Sequence, residues 1–281
     1  MKNISYIIST FIFILLLYCC SENNEDTIEF RFPLQIGNTW EYEGKMCYYY
    51  YDDTSGSIEY QDTVNSSGGL VLTVAEKTDL DNIKNVYKLI SKAEFSEADH
   101  INTGYYKNHE DGFYLHEINS FGTEILPNIV RNKRVQLKSL KFSNIDQLNK
   151  ISELNTSLPL VIKDENDFPK KIIPYPIIVG CQWLVTQSDS IRIEKIIAGK
   201  DTLDLGFEKF ECYEIKYLYD LDYDGEWDDN LQVSDYYNKN GLIYQKVWIK
   251  RAVRVNIDNP EGIGFFDVEQ TFKLIDYNIE D

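Results

Sequence analysis

Basic residues are scarce in this chain. Its 281 residues carry 28 Lys and Arg against 46 Asp and Glu, a net charge of −18 with the 3 histidines neutral. That deficit excludes nucleic acid and bare anionic membrane surfaces as partners, because both would be repelled. Catalytic residues in recognisable settings are equally lacking. There is no GxSxG, no SxxK and no HExxH, and no cysteine has a catalytic neighbourhood. Gly199-Lys200-Asp201-Thr202 copies the end of a phosphate loop but has neither the preceding glycines nor a helix, so it reads as a turn. No alternating strand–helix rhythm is present, which disfavours a parallel sheet. Long hydrophobic runs are absent but for one, Ile4 to Tyr18, and that one falls short of the roughly 20 apolar residues of a membrane-spanning helix.

The same run has the length of an export-signal core. Behind it come Cys19 and Cys20 and the polar stretch Ser21-Glu22-Asn23-Asn24-Glu25-Asp26. An apolar core ending in Leu-x-small-Cys resembles the lipobox of bacterial lipoproteins, in which the cysteine thiol takes a diacylglyceryl group and the preceding peptide is removed. With Cys20 as the acceptor, Leu17 stands at −3, Tyr18 at −2 and Cys19 at −1; with Cys19, bulky Tyr18 would occupy the small −1 position. The register therefore favours Cys20, although Tyr18 at −2 departs from the usual pattern. The alternative is an ordinary cleaved signal with incidental cysteines. Several acyl chains on one cysteine anchor durably where a single chain does not. The expected organisation is a signal at 1–19, an acidic tether at 20–29 and a β domain at 30–281, with the membrane reached only through the lipid. The acidic run also resembles surface-export signals of some lipoproteins, so the expected location is the cell envelope, at the outer membrane, with surface exposure an option.

Cys47, Cys181 and Cys212 remain beyond the tether, an odd number without CxxC spacing. A chain of this length buries a core without staples, so buried thiols are expected rather than a disulfide framework.

What the chain has in quantity is strand formers: 21 Tyr and 14 Phe, with many Ile and Val. Alternation recurs in Leu70-Val71-Leu72-Thr73-Val74, Val86-Tyr87-Lys88-Leu89-Ile90 and Ile191-Arg192-Ile193-Glu194-Lys195-Ile196. Glu110-Asp111-Gly112, Ala198-Gly199-Lys200-Asp201 and Asn259-Pro260-Glu261-Gly262 read as hairpin turns. The expected fold is mainly β, a strongly bent antiparallel sheet, with one short helix near Asn144 to Leu154.

An internal repeat is the most specific feature. Phe32-Pro33-Leu34-Gln35-Ile36-Gly37-Asn38-Thr39-Trp40 recurs as Tyr175-Pro176-Ile177-Ile178-Val179-Gly180-Cys181-Gln182-Trp183. Val86-Tyr87-Lys88-Leu89 then parallels Cys212-Tyr213-Glu214-Ile215, and Tyr105-Tyr106 with Gly112 parallels Tyr236-Tyr237 with Gly241. The physical reading is a strand opening: Pro fixes the backbone, Gly turns it, and Trp anchors the next strand in the core. Two similar β halves, about 30–127 and 172–281, packed as one body around an irregular insert 128–171, are expected.

These segments resemble a family of uncharacterised bacterial envelope lipoproteins of the TapB-like type. Its FPLxxGNxWxY motif is matched by Phe32 to Tyr42, and its PLxxGxxW motif by Pro176 to Trp183. A Gly-x-Phe-x-x-Cys-Tyr-like segment is matched by Gly206 and Phe207 to Tyr213. The closing Tyr-Tyr…Gly-Leu-[Ile/Val] is matched by Tyr236-Tyr237…Gly241-Leu242-Ile243. The resemblance implies a bent antiparallel sheet and carries no catalytic residues across. The insert 128–171 and an acidic loop depart from it.

That loop, Asp220-Leu221-Asp222-Tyr223-Asp224-Gly225-Glu226-Trp227-Asp228-Asp229, is the strongest site candidate. Asp220, Asp222 and Asp224 take positions 1, 3 and 5 of a calcium loop, Gly225 position 6, the Glu226 carbonyl 7 and Asp228 9, while Leu231 replaces the closing acid at 12. Strands flank it, so a calcium-clipped hairpin loop is weighed against a solvated acidic turn. His109 and His116 flank one hairpin turn beside Glu110 and Asp111, a conceivable zinc or nickel set that no further spacing supports. The expected role is non-enzymatic binding or structure in a lipid-anchored envelope protein. A carrier of an apolar ligand or lipid in a bent-sheet cavity and a carbohydrate-directed hydrolase with paired carboxylates are the rivals.

Overall fold

The computed structural model describes residues 30–51, 58–80, 83–95, 98–121, 135–137, 169–187, 192–221, 223–254 and 265–280. Among the described residues, thirteen strands form one antiparallel sheet. They are β1 (Thr39–Tyr51), β2 (Ile58–Leu80), β3 (Ile83–Phe95), β4 (Ala98–His109), β5 (Gly112–Phe121), β6 (Val135–Leu137) and β7 (Lys170–Pro174), followed by β8 (Gln182–Gln187), β9 (Arg192–Asp204), β10 (Lys209–Asp220), β11 (Leu231–Asn238), β12 (Gly241–Arg254) and β13 (Phe265–Asn278). The mainly β antiparallel fold is as the sequence leads one to expect. The helix expected near 144–154 lies outside the described residues.

The sheet order is β7-β5-β4-β3-β2-β1-β13-β12-β11-β10-β9-β8, with β6 added beside β12. Each main strand lies next to its neighbour in sequence, and β13 closes onto β1 through a long ladder from Thr39↔Asn278 to Tyr50↔Phe266. The two ends of the order, β7 and β8, are consecutive in the chain, and the Trp183 indole Nε1 donates across to the Lys171 carbonyl at 3.1 Å. The sheet is thus nearly closed into an up-and-down barrel, which removes most of its exposed edge. Arg31–Asp281 form one unit.

Three main-chain hydrogen bonds at the strand opening recur in the two halves. Gly37 N donates to Val74 O, Asn38 N to Gln35 O, and Val74 N to Asn38 O; in the second half Gly180 N donates to Ile197 O, Cys181 N to Ile178 O, and Ile197 N to Cys181 O. Gly37 and Gly180 have φ of 97° and 86°, which a side chain would strain. A bulge opposite Leu89 falls at Ala75, and one opposite Ile215 falls at Ala198. The Tyr105–Tyr106 and Tyr236–Tyr237 registers both slip by one residue, leaving His116 and Ile243 as the extra residues. This locates an error of sequence reading: Ala198-Gly199-Lys200-Asp201 is no turn but lies within β9, where the small residues accommodate the bulge. The hairpin turns instead beyond Asp204, where Gly206 has a φ of 92°. Asn259 to Gly262 lie outside the described residues.

Because β1 and β8 are an even number of strands apart, both begin at the same end of the barrel, here the near end. There Phe32, Trp40, Tyr42, Tyr106, Phe113 and Tyr237 fill the interior, with Phe32 stacked on Phe113 at 4.3 Å. Trp40 is fully buried and its indole N–H donates to the Asn240 carbonyl. A Cβ on Gly241 would stand 3.0 Å from that nitrogen, so only glycine lets the hairpin approach. The far end is packed by Tyr48, Ile193, Tyr219, Leu221, Leu231, Val233, Val247 and Phe266. In the tyrosine run, Tyr48 is buried, while the Tyr49 and Tyr51 hydroxyls donate to Glu269 and Asp267.

Candidate functional site: a buried polar layer and an acidic loop

Between the two apolar ends, the second half places charge inside the barrel. Alternation along β9 turns Ile193, Lys195 and Ile197 to the interior; along β11 it turns Leu231, Val233, Asp235 and Tyr237 the same way. Lys195 and Asp235 are each 1 % exposed. The ladder sets Lys195 opposite Tyr217, which faces Val233, while Asp235 faces Ile215 on one side and Gln245 on the other. The Tyr217 hydroxyl donates to Asp235 Oδ2 at 2.8 Å and Gln245 Nε2 donates to Oδ1 at 2.8 Å. Lys195 Nζ sits 4.1 Å from the centroid of the Tyr217 ring, a cation–π contact strengthened by desolvation. Among the described residues, neither Lys195 Nζ nor the Tyr237 hydroxyl has a hydrogen-bond partner.

Burial pushes Lys195 down to about 8, with the Asp235 carboxylate pulling the other way. Burial likewise raises Asp235, against the stabilising Lys195 ammonium, Gln245 and Tyr217. In both cases desolvation outweighs the partner, so the pair costs the fold stability. The first half shows that the architecture does not require it. By the repeat's register the counterparts of Lys195, Tyr217 and Asp235 are Leu72, Ser91 and Gly104.

The acidic loop joins β10 to β11 at the far end. Asp220 is buried, and its carboxylate accepts from the Asp224 and Gly225 amides at 3.1 Å each. Asp224 Oδ1 accepts from Glu226 N, and Asp228 Oδ2 from Leu221 N. Gly225 has a φ of 90°, the sharp turn foreseen for position 6. Asp224 and Glu226 are exposed, and Asp222 lies outside the described residues. The donors are hard oxygens of the kind calcium takes, and each carboxylate oxygen bonded to an amide retains a second lone pair. Among the described residues no three acidic, imidazole or thiol groups converge for a metal.

The His109 and His116 Nε2 atoms are 3.0 Å apart. With the ring centroids 5.2 Å apart, the nitrogens meet head to head between the rings. That is hydrogen-bond geometry; a shared zinc or nickel ion would need both lone pairs turned toward a third point. Asp111 is engaged elsewhere, by Lys171 Nζ at 2.7 Å and the Tyr114 hydroxyl at 2.8 Å. The three thiols are not in disulfides; Cys47 and Cys212 are buried, and burial pushes the Cys212 thiol up to about 12. An open cleft of ≈ 820 Å³ lies at the near end, lined by Gln35, Ile36, Lys77, Tyr87 and Lys107 among others.

Sequence reasoning found the acidic loop and the histidine hairpin but passed over Lys195 and Asp235. The signal was present: both charges stand at the inward phase of strands whose neighbouring inward residues are apolar.

No family model matches the chain, and no curated protein is similar to it. One solved structure aligns with it: a protein classed as exported, with a YmcC-like fold, from Bacteroides fragilis. The identity is 10% and the TM-score 0.30, over 89% of this chain and 99% of that one.

Proposed function

We infer that this chain is a lipid-anchored protein of the bacterial cell envelope whose β body serves a non-enzymatic binding or structural role. The observation that carries the reading is the uncharged segment 4–18 followed directly by Cys19 and Cys20, with an acidic stretch between them and the first strand. A side-chain-filled interior, with Trp40, Tyr42, Tyr219 and Tyr237 at 1 % exposure or less, supports a rigid body over a lipid carrier. The test is direct. Wild-type protein expressed in a bacterial host should partition into detergent and incorporate labelled fatty acid, and Cys20→Ser should lose both. A wild-type product found wholly in the aqueous phase would overturn the assignment.

A second reading concerns the acidic loop, and it is favoured by Asp220 gathering the Asp224 and Gly225 amides as a position-1 aspartate does. We propose that the loop takes one calcium ion weakly, with a Kd near ~10⁻⁴ M as in extracellular modules. Asp220, Asp222, Asp224, the Glu226 carbonyl and Asp228 would hold it, and the ion would clip the hairpin. Millimolar calcium should then raise the melting temperature by mass action, and Asp224→Asn should diminish the rise. Calorimetry showing no heat, with no thermal shift, rules the site out.

A further inference from the structure

The near end of the barrel is stoppered by its own chain. The strap 31–36 runs into β1, and among its contacts to the β4–β5 hairpin and the segment after β7 are three hydrogen bonds and the Arg31 guanidinium over the Tyr175 ring. Phe32 N donates to the Tyr175 hydroxyl at 2.9 Å, Asn108 Nδ2 donates to Phe32 O at 2.8 Å, and Arg31 Nη1 donates to His109 O at 2.9 Å. The Tyr175 hydroxyl in turn donates to Asn108 Oδ1 at 2.7 Å. Two of the three anchors are therefore adjacent hairpin residues, 108 and 109. The Phe32 ring beyond them closes the interior against Phe113 and Trp40.

The same hairpin carries the paired histidines. His116 is the bulge residue of β5 and is 7 % exposed; the equivalent position in the second half is Ile243, fully buried. The bulge thus asks only for a buried side chain, and the imidazole is an addition to what the fold needs. His116 Nδ1 is buried with no partner among the described residues. A bare lone pair there costs less than an orphaned N–H, which assigns the proton to Nε2, donating to His109 Nε2. A further proton is disfavoured on either ring, although on His116 it leaves the Nε2–H···Nε2 bond in place. On His109 it sets two N–H groups head to head; on His116 it places an N–H at the orphaned Nδ1 and a cation in the interior.

We propose that the His109–His116 pair is an acid-sensitive latch on the strap, released when the hairpin takes up a proton. The groups facing the pair fit this. Lys107 on β4 opposes added positive charge. Asp111 favours it at His109, but its carboxylate is drawn off by Lys171 of β7 and by Tyr114. From the strap, Arg31 adds another cation at the His109 carbonyl. Burial holds His116 down to about 4 and lowers His109 too. The folded pKa lies below the unfolded value, so the unfolded chain binds more protons between the two. The latch is therefore intact above about pH 6.5 and weakens as pH falls toward 4.

Hydrogen exchange on the full chain, corrected for intrinsic rates, tests this at the Phe32 amide. Its protection factor should fall by up to roughly tenfold per pH unit below 6.5, and His116→Ile, which installs the residue of the other half, should flatten the fall. Wild type and variant falling together, or wild type staying flat, overturns the proposal. Should His116→Ile fail to fold, the His116 ring protons followed by NMR in the wild type decide. The fall in Phe32 protection must then run from the unfolded histidine value of about 6.5 down to the His116 midpoint seen by NMR, and a fall that ends more than about one pH unit away from that midpoint rejects the latch.

Discussion

Moving an ammonium group from water to a protein interior costs several kcal/mol, and a neighbouring carboxylate repays it only with good geometry and further hydrogen bonds. Asp235 has those bonds, from Tyr217 and Gln245, whereas Lys195 Nζ, without a hydrogen-bond partner among the described residues, rests on the Tyr217 ring. Removing one charge should hence be worse than removing both. Asp235→Asn, which strips the buried ammonium of its carboxylate, is expected to lose about 3 kcal/mol at pH 7, and Lys195→Met in addition to recover most of it. Urea midpoints of both single variants and the double variant complete the cycle, and a double-variant loss equal to the sum of the two single losses would show the charges to be uncoupled. The pH dependence has a defined sign. Lys195 is lowered to about 8 in the fold and is ordinary in the unfolded chain, so the unfolded state holds more protons above pH 8. Its own contribution to stability therefore rises with pH from about 8 toward 10. Beyond that the buried phenols of Tyr42, Tyr217, Tyr219 and Tyr237, all raised, reverse the trend because the unfolded chain ionises first. Lys195→Met should abolish the rise between 8 and 10 while leaving the later fall in place.

At the scale of the elements, period-two alternation and the repeated Pro–Gly–Trp segment were enough to read strands, an antiparallel sheet and two similar halves. Each is a local rule: inward residues alternate, and a left-handed glycine before a tryptophan starts a strand in either half. What was not legible depends on pairing between distant segments. Ala198-Gly199 looks like a turn because small residues suit turns and bulges alike, and only the register against Ile215 separates the two. The Lys195–Asp235 pair was hidden for a related reason. Two inward charges 40 residues apart are recognisable as partners only when β9 and β11 are known to flank β10. The turn of the acidic loop at Gly225 was legible because its logic is local: Asp220 bonds amides four and five residues ahead. The histidine pair was legible as a proximity, since both residues flank one turn, but its head-to-head orientation follows from the bulge at His116, which no local pattern announces.

For the molecule as a whole, the two seams between halves are unequal. At the β1/β13 seam the halves share a continuous ladder, whereas β7 and β8 do not pair in the sheet. The two tryptophans of the repeat reflect this asymmetry. Trp40 is fully buried and ties β1 to the β11–β12 turn; Trp183 is only half-buried, and its indole nitrogen reaches over the unpaired seam to Lys171. Backbone amides along an unpaired edge are protected less well than those in a ladder, so local opening should begin there. Trp183→Phe keeps an aromatic ring and deletes the bridging N–H. It is expected to cost about 1 kcal/mol and to speed amide exchange within β8 (Gln182–Gln187) while leaving β1 and β13 unchanged. If β8 exchanges no faster in the variant, then contacts other than the indole bridge hold the seam. Faster exchange in β1 as well would mean that the barrel opens as one cooperative unit rather than from the β7–β8 side.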